Sequence, residues 1–228
     1  MAKESDHGKA IAKAAAQVLI PLGYARRGQS RLWIADQGFW IAVVEFQPSG
    51  YAKGSYVNVC ASWLWALRDP YYIAFEYFDR LAPYADLGHA PPSEEALQPL
   101  TIALVPAIER LYDTFSSFPA IDAYLEERAS EPRASLHDHY NAAVSAGLGG
   151  DSARRHRHFG WIAAHEARAD WEAALKAKVA HLAEQAATQH ALSVAICREI
   201  ERARTQLRLA PSAYPPAEAQ RSSRSWSD

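Results

Sequence analysis

Apolar positions change their period along the chain, and the changes divide it. Asp6 is a helix N-cap type, and after it Ile11, Val18, Leu19 and Leu22 recur on one helical face until Pro21 and Gly23 end the run. The period then shortens to that of strands. Residues 31–35, 39–47 and 55–63 read as three strands, and residues 71–77 as a fourth after Asp69-Pro70. Asp36-Gln37-Gly38 supplies a tight connection with a glycine free to take positive φ. Connections this short cannot hold a parallel crossover, so the strands are predicted to pair antiparallel as a meander. The second strand is apolar on both faces: Phe39, Ile41 and Val43 alternate with Trp40, Ala42, Val44 and Phe46. It is therefore expected to be central, with the first helix on one face and a later segment on the other.

After Gly88-His89-Ala90-Pro91-Pro92 the pattern is helical. Ser93 is placed to cap a helix carrying Leu97, Leu100, Leu104, Ile108 and Leu111, with a break or kink expected at Pro99 or Pro106. Shorter helices follow at about 120–128, 134–146 and, after the cap Asp151, up to about 168. From Asp170, Leu175, Val179, Leu182, Ala186, Gln189, Ser193, Ile196, Ile200, Ala203 and Leu207 recur at alternating spacings of four and three. One straight helix there would run about 60 Å, longer than such a domain is wide. It is expected either to break near 185–190, the favoured reading, or to pack its end on a second copy of the chain. The fold class is thus α+β: an N-terminal helix and four-stranded antiparallel sheet over 1–90, a helical region over 91–209, and a Pro-, Ser- and Arg-containing tail over 210–228 expected to be disordered.

Composition narrows the function. At 228 residues the chain can bury a core without staples, and 14 of its 25 aromatics lie between Trp33 and Tyr84, inside the predicted sheet. Cys60 and Cys197 are too few and too far apart for a disulfide framework or zinc ribbon, so two reduced thiols in a cytoplasmic protein are expected. No run of about 18 apolar residues occurs, and Lys13 and Gln17 interrupt the alanine-rich start, so neither a membrane span nor a signal peptide is expected. The net charge of −2 hides an uneven distribution: residues 69–131 hold twelve acids against Arg80, Arg110 and Arg128. Solvated helix faces account for this, and an acidic face for a basic protein partner is the sharper alternative.

Motifs for catalysis are few. Seven of nine histidines lie between His137 and His190. In the two H-x-H pairs, His137/His139 and His156/His158, residues two apart on a helix point about 200° apart and chelate poorly. His158 and His165, two turns apart with Glu166 adjacent, are the metal alternative, implying a metal-dependent hydrolase. Ala169 stands where H-E-x-x-H would need its second histidine. The glycine-rich stretch 147–152 lacks the G-K-[ST] of a phosphate loop and reads as a helix stop and cap. Arg154, Arg155, His156, Arg157 and His158 form a basic cluster at a helix start, where cations oppose the macrodipole. Nucleic-acid binding is one reading of that cluster, and a salt contact with the acidic segment is favoured over it. With no G-x-S-x-G or S-x-x-K, an enzyme is the less favoured reading, and with the uneven charge the leading one is a non-enzymatic protein-binding module without a cofactor.

One stretch carries a likeness. Leu22-Gly23-Tyr24 with Arg26-Arg27-Gly28, then Trp33, then 44–49 (Val-Glu-Phe-Gln-Pro-Ser) and 56–59 (Tyr-Val-Asn-Val) resemble the bacterial Domain of Unknown Function 4304 family, over about residues 10–65. The resemblance implies an α+β fold and no established activity. Some such proteins look like immunity or accessory components of toxin systems, for which the acidic segment would suit a cationic toxin. Gln47 and Asn58 are unusual in otherwise apolar strands, and either satisfy backbone groups at strand ends or border, with Arg27, Trp33 and Tyr56, a shared recognition surface.

Overall fold

The computed structural model describes residues 6–48, 55–67, 73, 75–81, 94–185 and 188–211. The chain forms two compact units, Met1–Asp113 and Thr114–Asp228. No helix among the described residues is long and apolar enough to cross a membrane.

The first unit is a five-stranded antiparallel meander with helices. Helix α1 (Asp6–Leu19) is followed by β1 (Ala25–Arg26), β2 (Leu32–Asp36), β3 (Trp40–Pro48), β4 (Ser55–Trp63) and β5 (Tyr77–Arg80), in that spatial order. The unpredicted strand is β1, too short for periodicity to reveal: two residues paired as Ala25↔Ile34 and Arg26↔Trp33. The last strand lies later than expected, at Tyr77–Arg80 instead of 71–77, and its alternating exposure includes the charged Asp79 and Arg80. An edge strand needs no continuous apolar run, so the apolar residues 71–75 were a poor guide. The β2–β3 turn is closed by the Gly38 amide donating to Asp36 Oδ1 at 2.9 Å, with Gly38 at φ 83°.

Directly paired residues share a face, so the register sorts the sheet. Trp33, Trp40, Val44, Phe46, Val57, Val59, Trp63 and Asp79 lie on one face. Ile41, Val43, Glu45, Gln47, Tyr56, Asn58, Cys60, Phe78 and Arg80 lie on the other. The whole of β3 from Trp40 to Phe46 is buried except half-buried Glu45, as its two-faced apolar pattern requires. Helix α1 lies over the first face, where Gly8, Ile11 and Ala12 border a small cleft with Trp33 and Phe46. Helix α2 (Glu94–Thr114) covers the same face: Tyr112 meets the Trp40 ring edge-on at 6.3 Å, and Arg110 pairs with Asp79 at 3.0 Å. The last turns of α2 thus lie in the sheet unit, and α1 and α2 share one face. On the second face Phe75, from the connection after the buried 3-10 turn Leu64–Ala66, stacks on Phe78.

Prolines 99 and 106 do not break α2, which runs continuously for 21 residues. Pro106 would leave the Ile102 carbonyl without its donor, and both residues are exposed, so water can replace the lost bond. The predicted linker at 88–92, the Ser93 cap and residues 212–228 of the tail lie outside the described residues.

The second unit is all helical: α3 (Phe118–Ser130), α4 (Leu136–Leu148), α5 (Ser152–Ala164), α6 (Asp170–Gln185) and α7 (Gln189–Leu207). Side chains at the N-caps start four of them: Ser117, Ser135, Asp151 and Thr188 each accept a backbone N–H. Gly147 does not stop α4; the chain leaves it at Gly149 and turns through Gly150 at φ 85°. The long heptad pattern is two helices, the second starting after Thr188, whose backbone is extended, where the seam becomes polar. The length argument for packing its end on a second copy therefore falls away. Tyr140, Val144, Ile162, Leu192 and Ile196 are all buried in this unit.

Candidate functional site

Two polar constellations stand out, one in each unit. In the sheet, Glu45, Asn58 and Arg80 form one row across β3, β4 and β5. Asn58 is fully buried. Its Nδ2 donates to Glu45 Oε2 at 2.8 Å and to Gln47 Oε1 at 3.3 Å, and its Oδ1 accepts from Arg80 Nε at 3.1 Å. Arg80 Nη2 reaches Gln47 Oε1 at 2.8 Å. The guanidinium lies 4.7 Å from the Tyr56 ring centroid and 5.1 Å from that of Phe78. Every donor and acceptor of the Asn58 amide faces a complementary group, which is what an amide inside a sheet requires. The result is a rigid, outward-presented arginine flanked by aromatic rings.

Of the five residues expected to share a surface, the structure brings three together. Gln47, Tyr56 and Asn58 are in this row and the next. Trp33 does not join them: it is buried on the opposite face, one position out of phase with Leu32, which pairs with Glu45. Arg27 lies at the β1–β2 end, which its backbone amide closes by donating to the Leu32 carbonyl at 2.9 Å. Glu45 and Arg80 were missed. The signal for Glu45 was present, because period-two alternation puts it and Gln47 on one face. Arg80 needed the position of β5.

In the helical unit the basic cluster meets the acidic segment. Arg154 grips Asp122 with Nη1 at 2.9 Å and Nη2 at 2.8 Å, and its Nε donates to Glu126 Oε2 at 3.1 Å. Arg157 also donates to Glu126, and Ser145 Oγ donates to Asp122 Oδ1 at 2.7 Å. Asp122 and Glu126 are one turn apart on α3, as Arg154 and His158 are on α5, so complementary groups at matching spacing pin these helices together. Partial burial pushes the Glu126 carboxyl up, but the His158 hydrogen bond and the charges of His158, Arg154 and Arg157 outweigh it, leaving it below the usual carboxylate range.

Two buried imidazoles extend this network. His158 Nε2 lies 3.0 Å from Glu126 Oε2, and its Nδ1 lies 3.0 Å from His139 Nδ1. A carboxylate only accepts, so with both rings neutral His158 carries its proton on Nε2 and receives the Nδ1–H of His139. The His139 ring is stacked at 3.8 Å on Trp161, and burial with the neighbouring His158 charge lowers its pKa. Such a chain can hold and relay a proton. The hydroxyl of Ser145, the nucleophile type nearest in the network, is already committed to Asp122.

The metal alternative is not assembled. Helix α5 ends at Ala164, and His165 is its C-cap with extended backbone, so His158 and His165 do not continue on one helical face. His158 is engaged by Glu126, whereas His165 stacks on Trp161 and lies 3.7 Å from Glu172. Glu166 is exposed. Among the described residues no group of three or more His, Cys, Asp or Glu is placed to hold a metal ion. The paired histidines diverge as helical geometry demands: His137 stacks on Trp171, while His139 stacks on Trp161. Both cysteines are free, Cys60 buried and Cys197 half-buried, and burial pushes each thiol up, away from the reactive thiolate.

Comparison with known proteins brings no match: no family model, no curated protein and no solved structure is similar to the chain.

Proposed function

We propose that the protein is a non-enzymatic protein-binding module that presents the sheet surface around Arg80 to its partner. One observation carries this reading: Arg80, on an edge strand, is fixed by Gln47, Asn58 and the Tyr56 and Phe78 rings, while Phe78 is itself 46% exposed. Arginine and aromatic side chains dominate binding energy at protein interfaces. An arginine already held in place gives up little side-chain freedom on binding. Its partners among the described residues are amides, so its positive charge remains for a partner's carboxylate or carbonyl. The fitting partner is a protein segment offering such an oxygen beside an apolar side chain.

An immunity or accessory role is what the sequence resemblance to the Domain of Unknown Function 4304 family would imply, and the free thiols suit a cytoplasmic setting. A basic partner has less support, because Asp79, Asp122, Glu126 and Glu131 each face an internal arginine. Nucleic-acid binding has less for the same reason: Arg154 and Arg157 are engaged by those carboxylates. The test is co-purification of the full chain with the product of the adjacent gene. A stoichiometric complex is expected, weakened at least about tenfold by Arg80→Ala or Phe78→Ala. No complex, or one indifferent to both substitutions, would sink the proposal.

A further inference from the structure

Helices α5 and α6 pack on each other within the second unit, and a groove of about 550 Å³ runs between them. That volume lies in the range of small-ligand sites, about 300–1,000 Å³. Phe159 and Val179 are its buried apolar residues, and small side chains such as Gly160, Ala163 and Ala180 leave it open. Two residues distinguish this lining.

The first is Arg155. It is only 6% exposed and lines the groove, yet its guanidinium makes no hydrogen bond or ion pair among the described residues. Its neighbours Arg154 and Arg157 are both matched to carboxylates. Its stem packs against α4 at Gly147, where an added Cβ would lie 2.3 Å from Leu192 Cδ2 and 3.1 Å from Arg155 Cδ. No Arg155 nitrogen is among the fully buried atoms that lack a partner, so the guanidinium reaches the groove's solvent, where an anion would give it a counter-charge. The second is Gly160, in the interior of α5, where glycine is among the least favourable residues. No positive φ requires it, and a Cβ there would meet nothing within 4 Å. The effect of the missing side chain is an unobstructed groove.

We infer that this groove binds a monoanionic amphiphile, a carboxylate on an aliphatic chain, with the carboxylate on Arg155 and the chain passing Gly160 over Phe159 and Val179. Lys176, also at the groove, donates to the His165 carbonyl, whereas Arg155 has no such partner and is the first place for the head group.

Titration calorimetry of the full chain with decanoate, and with 1-decanol as the uncharged control, decides. One decanoate per chain is expected. Arg155→Met should weaken it at least about tenfold, to the level of decanol, since a charge-assisted pair is lost. Gly160→Leu should abolish binding while raising the melting temperature, because its side chain enters open space. Arg155→Met should melt no lower than the wild type, because no internal partner is lost. The inference is overturned if decanoate does not saturate, if decanol binds as tightly, or if neither substitution changes binding. A marked fall in the melting temperature of Arg155→Met would also overturn it, by giving the arginine a structural role.

Discussion

At the scale of single residues, Asn58 is the clearest case of a polar group that the sheet must satisfy. Asn58→Leu removes two donated bonds and one accepted bond, and leaves half-buried Glu45 without its amide donor. Two of these bonds are to charged groups, and since a hydrogen bond contributes about 1 kcal/mol and one to a charged group somewhat more, urea unfolding should show a destabilisation of at least about 2–3 kcal/mol. A change within about 0.5 kcal/mol, the range of ordinary surface substitutions, would mean that the row is incidental. His139 gives a pH-dependent counterpart. Burial and His158 hold its pKa below the ordinary 6.5, and Glu126 lies below the ordinary 4.5. In both, the unfolded chain binds protons more readily, so stability is intact above the unfolded value and is lost as pH falls towards the folded one. Melting temperature should therefore decline as pH drops below 6.5, then decline further below 4.5. His139→Asn should flatten the upper window alone. A melting temperature independent of pH between 7.5 and 5 would refute the placement. Sequence made Asn58 and His158 conspicuous, but the partners named here lie 11 to 32 residues away, beyond the reach of any local pattern.

At the scale of elements, periodicity was a good guide wherever packing and local propensity agree. The strand predicted at 55–63 coincides with β4, and those at 31–35 and 39–47 lie one residue from β2 and β3. The break in the heptad seam was legible because Gln189 and Ser193 interrupt it. What was not legible was how helices begin. Asp151 was recognisable as a cap because it follows glycines; Ser117, Ser135 and Thr188 stand among other polar residues, and only geometry distinguishes them. Ser135 makes a reciprocal capping box, in which its Oγ accepts from the Asp138 amide at 3.2 Å while Asp138 accepts from the Ser135 amide at 2.7 Å. Ser135→Ala should cost about 1 kcal/mol, read by chemical denaturation. A neutral result would show that packing of the α4 side chains alone fixes where that helix starts.

At the scale of the whole molecule, the division into Met1–Asp113 and Thr114–Asp228 carries a testable consequence. Each unit has a length ordinary for an independent domain. The second has its own apolar core in Leu125, Tyr140, Val144, Ile162, Leu192 and Ile196. Its helices are joined by the carboxylate–guanidinium–imidazole network of Asp122, Glu126, Arg154, His158 and His139, which needs no residue before Thr114. Composition pointed to a boundary near residue 90, because Pro and Gly cluster there. The sheet nevertheless extends its unit through α2, since the Trp40 ring and the Asp79 carboxylate on its first face are met by Tyr112 and Arg110. A fragment starting at residue 91 would therefore carry a helix stripped of the surface it covers, with apolar Leu104, Ile108 and Leu111 left exposed. Residues 114–228 expressed alone should be helical by circular dichroism and melt in one cooperative transition. Residues 91–228 should show the same transition, together with a greater tendency to associate. If 114–228 instead lacks a cooperative melt while 91–228 has one, α2 is part of the helical core and the division at Asp113 is misplaced.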